Sequence, residues 1–418
     1  MITTTDLKEA MYRNREFFFK QVEHTKREID YKKINSELIT IITGIRRSGK
    51  SYLIKIIKDE LLKKNIEKKQ IFYLNLNDPF LIKATIKDIY ELINIYKREL
   101  EPKQKIYYFF DEIQELKDWH KLILDLFENK NKVIVTGSNS NLLSKEIGTY
   151  LTGRNNQIEL FPFSFKEYLD FKKIKIDLKQ SKEKLNKYIK EFEEYLIKGG
   201  FPLYLKEKNP TILKDYYENI LNRDIIVRHS LANGIQIKEL SFFIMSNPTS
   251  IQSYEKIRKT LQIKSVSTVK QYIDYLKEAY LIMSLDKFDY SIRKQILNPK
   301  KYYVIDNGFI TQVSFKFSDN LGKLLENLVF IELKRRNKEI YYELDKQECD
   351  FLIKEKNKLT TAIQVCYELN TENKEREITG LKKAMKKYDI KQGFILTNNT
   401  EYEIENIKIK PVWKWLIE

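Results

Sequence analysis

Cysteine, histidine, proline and glycine are all scarce in this chain, and each scarcity closes a class of explanation. Two cysteines, Cys349 and Cys366, cannot build a disulfide framework, and they read as buried, inert thiols. Three scattered histidines, His24, His120 and His229, lack the spacing of a zinc site. With 12 glycines and 8 prolines in 418 residues, the chain is neither collagen-like nor a Pro/Gly-rich disordered polymer. No apolar run approaches the roughly 18 residues of a membrane span. The N-terminus, Met1-Ile2-Thr3-Thr4-Thr5-Asp6, lacks the basic-then-apolar pattern of a secretory signal. The expectation is a cytoplasmic protein with no membrane partner.

What is present is enough chain for two or three domains, 42% hydrophobic and 32% charged. Lys+Arg number 76 against 59 Asp+Glu, a formal charge of +17 that favours polyanionic partners. Short apolar runs at 38–43, 71–75, 106–110 and 133–136 alternate with helical stretches, as in a parallel α/β sheet whose strands are buried on both faces. From 164 to 230 the period becomes helical, with Phe165, Tyr168, Leu169, Phe192, Tyr195 and Leu196 at three- and four-residue spacings around the turn Gly199-Gly200-Phe201-Pro202.

Gly44-Ile45-Arg46-Arg47-Ser48-Gly49-Lys50-Ser51 fits G-x-x-x-x-G-K-[ST] between an apolar strand and a helical run. Such a loop closes backbone N–H groups around phosphate oxygens. Lys50 then adds a point charge at the β/γ-phosphates, and the Ser51 hydroxyl is a ligand for Mg²⁺. The run Ile106-Tyr107-Tyr108-Phe109-Phe110 ends in Asp111, suited to the Mg²⁺ shell, and Glu112, long enough to orient and deprotonate an attacking water. A further buried run ends in Gly137-Ser138-Asn139, which offers Asn139 or Ser138 as a polar contact between γ-phosphate and water.

This order of motifs, followed by Tyr150-Leu151-Thr152-Gly153-Arg154 and Leu160-Phe161-Pro162-Phe163-Ser164-Phe165-Lys166-Glu167-Tyr168, resembles the archaeal and bacterial AAA-type P-loop ATPases. The branch it resembles carries a C-terminal winged helix and a restriction-endonuclease-like domain of unknown function. The resemblance implies ATP and Mg²⁺ as cofactors, Lys50 and Ser51 as Walker A, Asp111 and Glu112 as Walker B, Asn139 as sensor, and Arg154 as the arginine of a Gly-Arg pair. That arginine could reach γ-phosphate in its own subunit or in a neighbour's.

In the C-terminal half, a helix marked by Tyr254, Ile257 and Leu261, a turn at Lys264-Ser265-Val266, a helix at 267–277 and an extended segment at 280–285 read as a winged helix. Ser267-Thr268 is expected to cap its second helix, and Lys264, Lys270 and Lys277 supply basic points for phosphates. The last segment resembles the restriction-endonuclease-like core, with Glu326 on a helix, Asp350 on one strand and Gln364 and Cys366 on the next. Gln364 brings no charge to a metal, and Cys366 stands where such nucleases use lysine, so cleavage is expected to be lost. The Tyr302-Tyr303-Val304-Ile305-Asp306 run and Asp345-Lys346-Gln347-Glu348 read as ordinary strand and turn.

The expected organisation is a P-loop ATPase core at 1–163, a helical lid at 164–235, a winged helix at 236–315 and a small α/β nuclease-like domain at 316–418. The expected activity is Mg²⁺-dependent ATP hydrolysis acting on, or regulated by, DNA. The alternatives are a nucleotide switch that regulates a protein partner, or an ATP-coupled nuclease. A homo-oligomer is left open.

Overall fold

Strand alternation builds the first sheet. In the computed structural model, which describes residues 2–139, 150–178, 182–314, 321–345 and 347–418, β1 (Ile39–Thr43), β2 (Ile71–Asn75), β3 (Tyr107–Asp111), β4 (Lys132–Gly137) and β5 (Asn155–Glu159) pair in the order β2-β3-β4-β1-β5. All four pairings are parallel. Ile41, Phe72, Leu74, Tyr108, Phe110, Val133 and Val135 join one core with the helix Ile86–Leu100. Their neighbours Ile42, Ile71, Tyr73, Phe109 and Ile134 join the other, with the helix Lys50–Lys63. Successive side chains point to opposite faces and both faces are covered, which is why these runs are unbroken in apolarity. β5 lies on the sheet's edge with only Ile158 buried, so it carries no such signature.

The described chain divides into two compact units, 1–161 and 162–418. In the second, Phe165, Tyr168, Leu169, Phe192, Tyr195 and Leu196 are all buried, on helices Phe165–Phe171 and Lys182–Lys198. Gly199 takes φ 72°, and a Cβ there would fall 1.8 Å from Asp306 Oδ1. Only glycine suits both the torsion and the space. Pro202 then opens the helix Pro202–Glu207, at a position where its missing N–H has no intrahelical partner to lose.

Helices Tyr254–Thr260 and Val266–Glu278 lie between the first two strands of a small sheet in which β8 (Lys300–Val304) pairs antiparallel with both β6 (Ile251–Gln252) and β7 (Ile282–Asp286). The second helix begins earlier than expected. Its cap is Ser265, whose Oγ accepts from Thr268 N at 3.1 Å, and Ser267 and Thr268 lie inside the first turn. A six-stranded mixed sheet follows: β9 (Glu339–Leu344), β10 (Glu348–Glu355), β11 (Lys358–Val365), β12 (Gln392–Thr397), β13 (Tyr402–Ile404) and β14 (Ile407–Pro411), in the order β13-β14-β12-β11-β10-β9. The helix Lys374–Lys387 lies against it, with Leu381, Ala384 and Met385 in its core.

These segments interlock. Asn307 Nδ2 donates to Leu196 O at 2.8 Å and Leu324 O at 2.9 Å, one acceptor from each flanking stretch, while Asn327 both donates to Val304 O and accepts from Val304 N. Among the described residues no helix is long and apolar enough to cross a membrane.

Candidate functional site

The loops after β1, β3 and β4 leave the carboxyl ends of adjacent parallel strands, where an open α/β sheet presents its ligand crevice. After β1 the chain turns through Gly44, at φ 147°, and Gly49, at φ 101°, before the helix Lys50–Lys63. A Cβ on Gly44 would stand 2.2 Å from Leu160 O, so backbone packs directly on backbone at this turn. Lys50 is buried, its Nζ donating to Gly44 O at 3.0 Å and Ile45 O at 3.1 Å. Ser48 Oγ is buried with no hydrogen-bond partner among the described residues.

Ser51 Oγ donates to Asp111 Oδ2 at 2.6 Å, joining the first turn of the helix to the end of β3. Thr136 on β4 donates to the other oxygen of Asp111, and its Oγ1 accepts from Glu112 N at 3.1 Å. Glu112 is held at φ 55°, ψ 52°, a left-handed conformation that costs a non-glycine residue about 1–2 kcal/mol. That turn sets its carboxylate 3.8 Å from Lys50 Nζ. Gln114 Nε2 donates to Glu112 Oε2, and also to Ser138 Oγ at 3.4 Å.

Burial and the adjacent Glu112 push Asp111 above the usual carboxylate range, against the opposing pull of Ser51, Thr136 and Lys50. Burial acts the same way on Glu112, but Lys50, Gln114 and Arg46 outweigh it and hold that carboxyl below its ordinary value. The donor set fits a nucleotide with its cation. Close-packed glycine backbone and an orphaned hydroxyl line the loop, a buried ammonium follows, and a hydroxyl stands beside a carboxylate where a hard divalent ion needs oxygen.

Of the other residues singled out, Asn139 is buried two residues past the end of β4. Arg46 and Arg47 lie in the loop itself, Arg47 at φ 70°. Arg154 is placed differently. Its backbone oxygen accepts from Ile39 N at 3.0 Å, and its guanidinium lies 3.1 Å from Glu128 Oε1. It therefore sits at the start of β1, roughly 13 Å of strand from the loop. That placement sets its backbone at the opposite end of β1 from the phosphate loop. Sequence reasoning missed Thr136, Gln114 and Tyr73, whose OH lies 3.4 Å from Asp111 Oδ2. It also missed Arg27, a buried side chain that donates to Ser48 O at 2.9 Å and Phe161 O at 2.7 Å.

A second polar cluster lies in the 162–418 unit. Glu326 and Asp350 do come together, around a residue given no role by the sequence: Lys301 Nζ is 2.6 Å from Glu326, 2.6 Å from Glu348 and 3.1 Å from Asp350. Tyr303 OH donates to Glu326 at 2.8 Å, so the run read as ordinary strand supplies one polar member of this cluster, Lys301 lies just before that run on the same strand, and Glu348 comes from the segment read as a turn. Burial, only partly offset by Lys301 and reinforced by Asp350, lifts Glu326 to about 7. Burial opposes the charge on Lys301, yet Glu326, Tyr303, Asp350 and Glu348 overcome it and hold the ammonium well above its ordinary value. Gln364 Oε1 accepts from Asp350 N at 3.3 Å. Cys349 is buried and Cys366 only half-buried, its thiol pushed up to about 11 by burial and by Glu377.

A sheet of this order with this loop and carboxylate pair defines a P-loop nucleotide-binding unit, and comparison with known proteins agrees. The family described as an AAA domain matches residues 36–169, and two families described as domains of unknown function match 167–320 and 321–415. An uncharacterized protein of Methanocaldococcus jannaschii is 38% identical over 423 aligned positions, covering 95% of this chain and 92% of the relative. An uncharacterized protein of Haemophilus influenzae is 31% identical, covering 92% and 95%. The chain belongs to the AAA-type ATPase family, together with these two relatives. Among solved structures, the Saccharomyces cerevisiae Hsp104–ADP complex is 15% identical over 65% of this chain and 39% of that one, at a TM-score of 0.30, too low to bear on the fold.

Proposed function

We propose that this chain is a Mg²⁺-dependent ATPase whose nucleotide cycle changes how its C-terminal half holds DNA. The observation that carries the ATPase reading is the 2.6 Å contact of Ser51 Oγ with Asp111 Oδ2, with Lys50 and Glu112 beside it. Bound Mg·ATP supplies an activated γ-phosphoryl group and a cation that offsets its charge. The loop's backbone N–H groups and Lys50 bind phosphate oxygens, while Ser51 and Asp111 hold the cation. Glu112 orients a water and takes its proton on a carboxylate oxygen; Lys50 keeps that carboxylate ionised and the fixed backbone aims it. Asn139 and Ser138 hold that water from the end of β4, and Arg154 acts on a neighbouring copy's nucleotide.

For the C-terminal half, the helix pair with the β7–β8 hairpin supports a winged-helix reading, and the mixed sheet, with Asp350 on β10 and Glu326 on the helix Leu321–Arg335, supports a nuclease-like one without cleavage. The +17 charge favours a nucleic-acid partner. A second reading, regulation of a protein partner, draws on the hairpin between β7 and β8, where Tyr290, Ile292, Ile296 and Leu297 are exposed side by side in sequence.

The test is ATP turnover with and without single- and double-stranded DNA at several salt concentrations. DNA stimulation that fades steeply with salt supports the first reading, because phosphate contacts release counterions. Tight nucleotide retention, negligible turnover and indifference to DNA support the second.

A further inference from the structure

One buried ammonium lies among the carboxylates beside the last sheet. On β8, Lys301 and Tyr303 are two residues apart and share one face. That face meets Glu326 on the helix Leu321–Arg335, and Glu348 with Asp350, themselves two apart on β10. The Lys301 side chain is 1% exposed. An ammonium has three N–H donors, and here three carboxylates converge on it at 2.6, 2.6 and 3.1 Å. Nζ sits between the acidic oxygens, and a divalent ion in its place would need them to close to about 2.0–2.6 Å.

The remaining polar groups are committed elsewhere. Asp350 Oδ2 accepts from Val365 N at 2.9 Å, and Gln364 gives its oxygen to Asp350 N. Cys366 Sγ donates to Glu368 O at 3.1 Å. Among the described residues no group of three or more acidic, histidine or cysteine side chains is arranged to hold a metal ion.

We propose that Lys301 is the resident cation of this centre, its ammonium filling the place of a divalent metal, so that the centre holds its three carboxylates together without hydrolytic chemistry. The inference rests on the nuclease-like reading of the last sheet and says what became of its metal site. Three clustered carboxylates, Asp350 buried, Glu326 nearly so and Glu348 open to solvent, repel one another once their cation is gone and favour uptake of protons or another cation. Removing the ammonium should therefore open a site for divalent metal.

The experiment is a Mn²⁺ titration followed by electron paramagnetic resonance on the nucleotide-free full chain, with Asp111→Asn in every sample to weaken the P-loop's own cation site. The Lys301-intact chain is expected to show no Mn²⁺ that depends on Asp350. Lys301→Met should bind one Mn²⁺ on the order of tenfold or more tighter, lost again on adding Asp350→Asn. Lys301→Gln, which keeps a donor but no charge, replaces Lys301→Met if that variant does not fold. Mn²⁺ bound by the intact chain and lost with Asp350→Asn overturns the proposal, as does a folded uncharged variant that gains no site. Nicking of supercoiled DNA by the intact chain that disappears in Lys301→Met would make the lysine catalytic and also overturn it. DNA binding, scored separately, decides only the parent reading: its loss with the Mn²⁺ results intact removes the DNA role and leaves Lys301 as the resident cation.

Discussion

The Lys50 ammonium lies 3.8 Å from the Glu112 carboxylate, bridging the loops that follow β1 and β3, the two strands that flank β4. The two charges differ in task, so their loss should differ in kind. Lys50→Ala should lose nucleotide affinity. Glu112→Gln should keep affinity and lose turnover by about 10²–10⁴, since it removes a proton acceptor while preserving shape. Nucleotide binding and phosphate release measured on both variants check this; parental turnover in Glu112→Gln would remove Glu112 from the mechanism.

Arg154 stands at the far end of β1 from the phosphate loop, and the role proposed for it is on the nucleotide of a neighbouring copy. Arg154→Ala and Glu112→Gln should each be inactive alone, and mixing them should restore part of the turnover, because some interfaces then carry both intact groups. Full activity of Arg154→Ala by itself would leave the residue as a partner of Glu128 and nothing more.

Gly44→Ala and Gly153→Ala separate packing from torsion. A Cβ on Gly44 meets Leu160 O at 2.2 Å, whereas one on Gly153, at φ 75°, meets nothing within 4 Å. Gly44→Ala should destabilise by about 1–3 kcal/mol beyond the torsional strain and abolish nucleotide binding. Gly153→Ala should show only about 1–2 kcal/mol of torsional strain. Urea unfolding midpoints compare them, and equal losses would refute the close approach.

Burial lifts Asp306 from 3.8 to about 7, although Gly200 N and Gly308 N donate to it. The folded state therefore takes up a proton that the unfolded state gives away. Its stabilising share is complete below pH 3.8 and is lost as pH rises through about 7. Relative to Asp306→Asn, the stability of the parent chain should fall by about 1–3 kcal/mol between roughly pH 5 and pH 7. Chemical denaturation of both at each pH reads the difference; a flat difference would place the titration elsewhere.

The sheet's central strands were legible because burial on both faces demands continuous apolar runs, and β2 falls at 71–75 as read. β5 was not legible: it is a polar edge strand, recruited by hydrogen bonds to β1 rather than by its own side chains. The same logic divides the sites. The phosphate loop is contiguous in sequence, so spacing reveals its members. Lys301, Glu326, Glu348 and Asp350 come from a helix and two strands, and no local pattern announces that three carboxylates will share one ammonium. The start of the second helix at 266 was misjudged because Ser265, Ser267 and Thr268 all carry hydroxyls suited to capping, and only the backbone torsion selects among them.

Arg27 gives the phosphate loop a lever. Its guanidinium is a rigid plane, and it grips the Ser48 carbonyl with one nitrogen and the Phe161 carbonyl with another. A plate clamped at two points moves both or neither. Residue 161 is the last of the first unit, and Pro162 begins the next. One side chain thus ties the phosphate loop to the last residue of the first unit by a route outside the sheet.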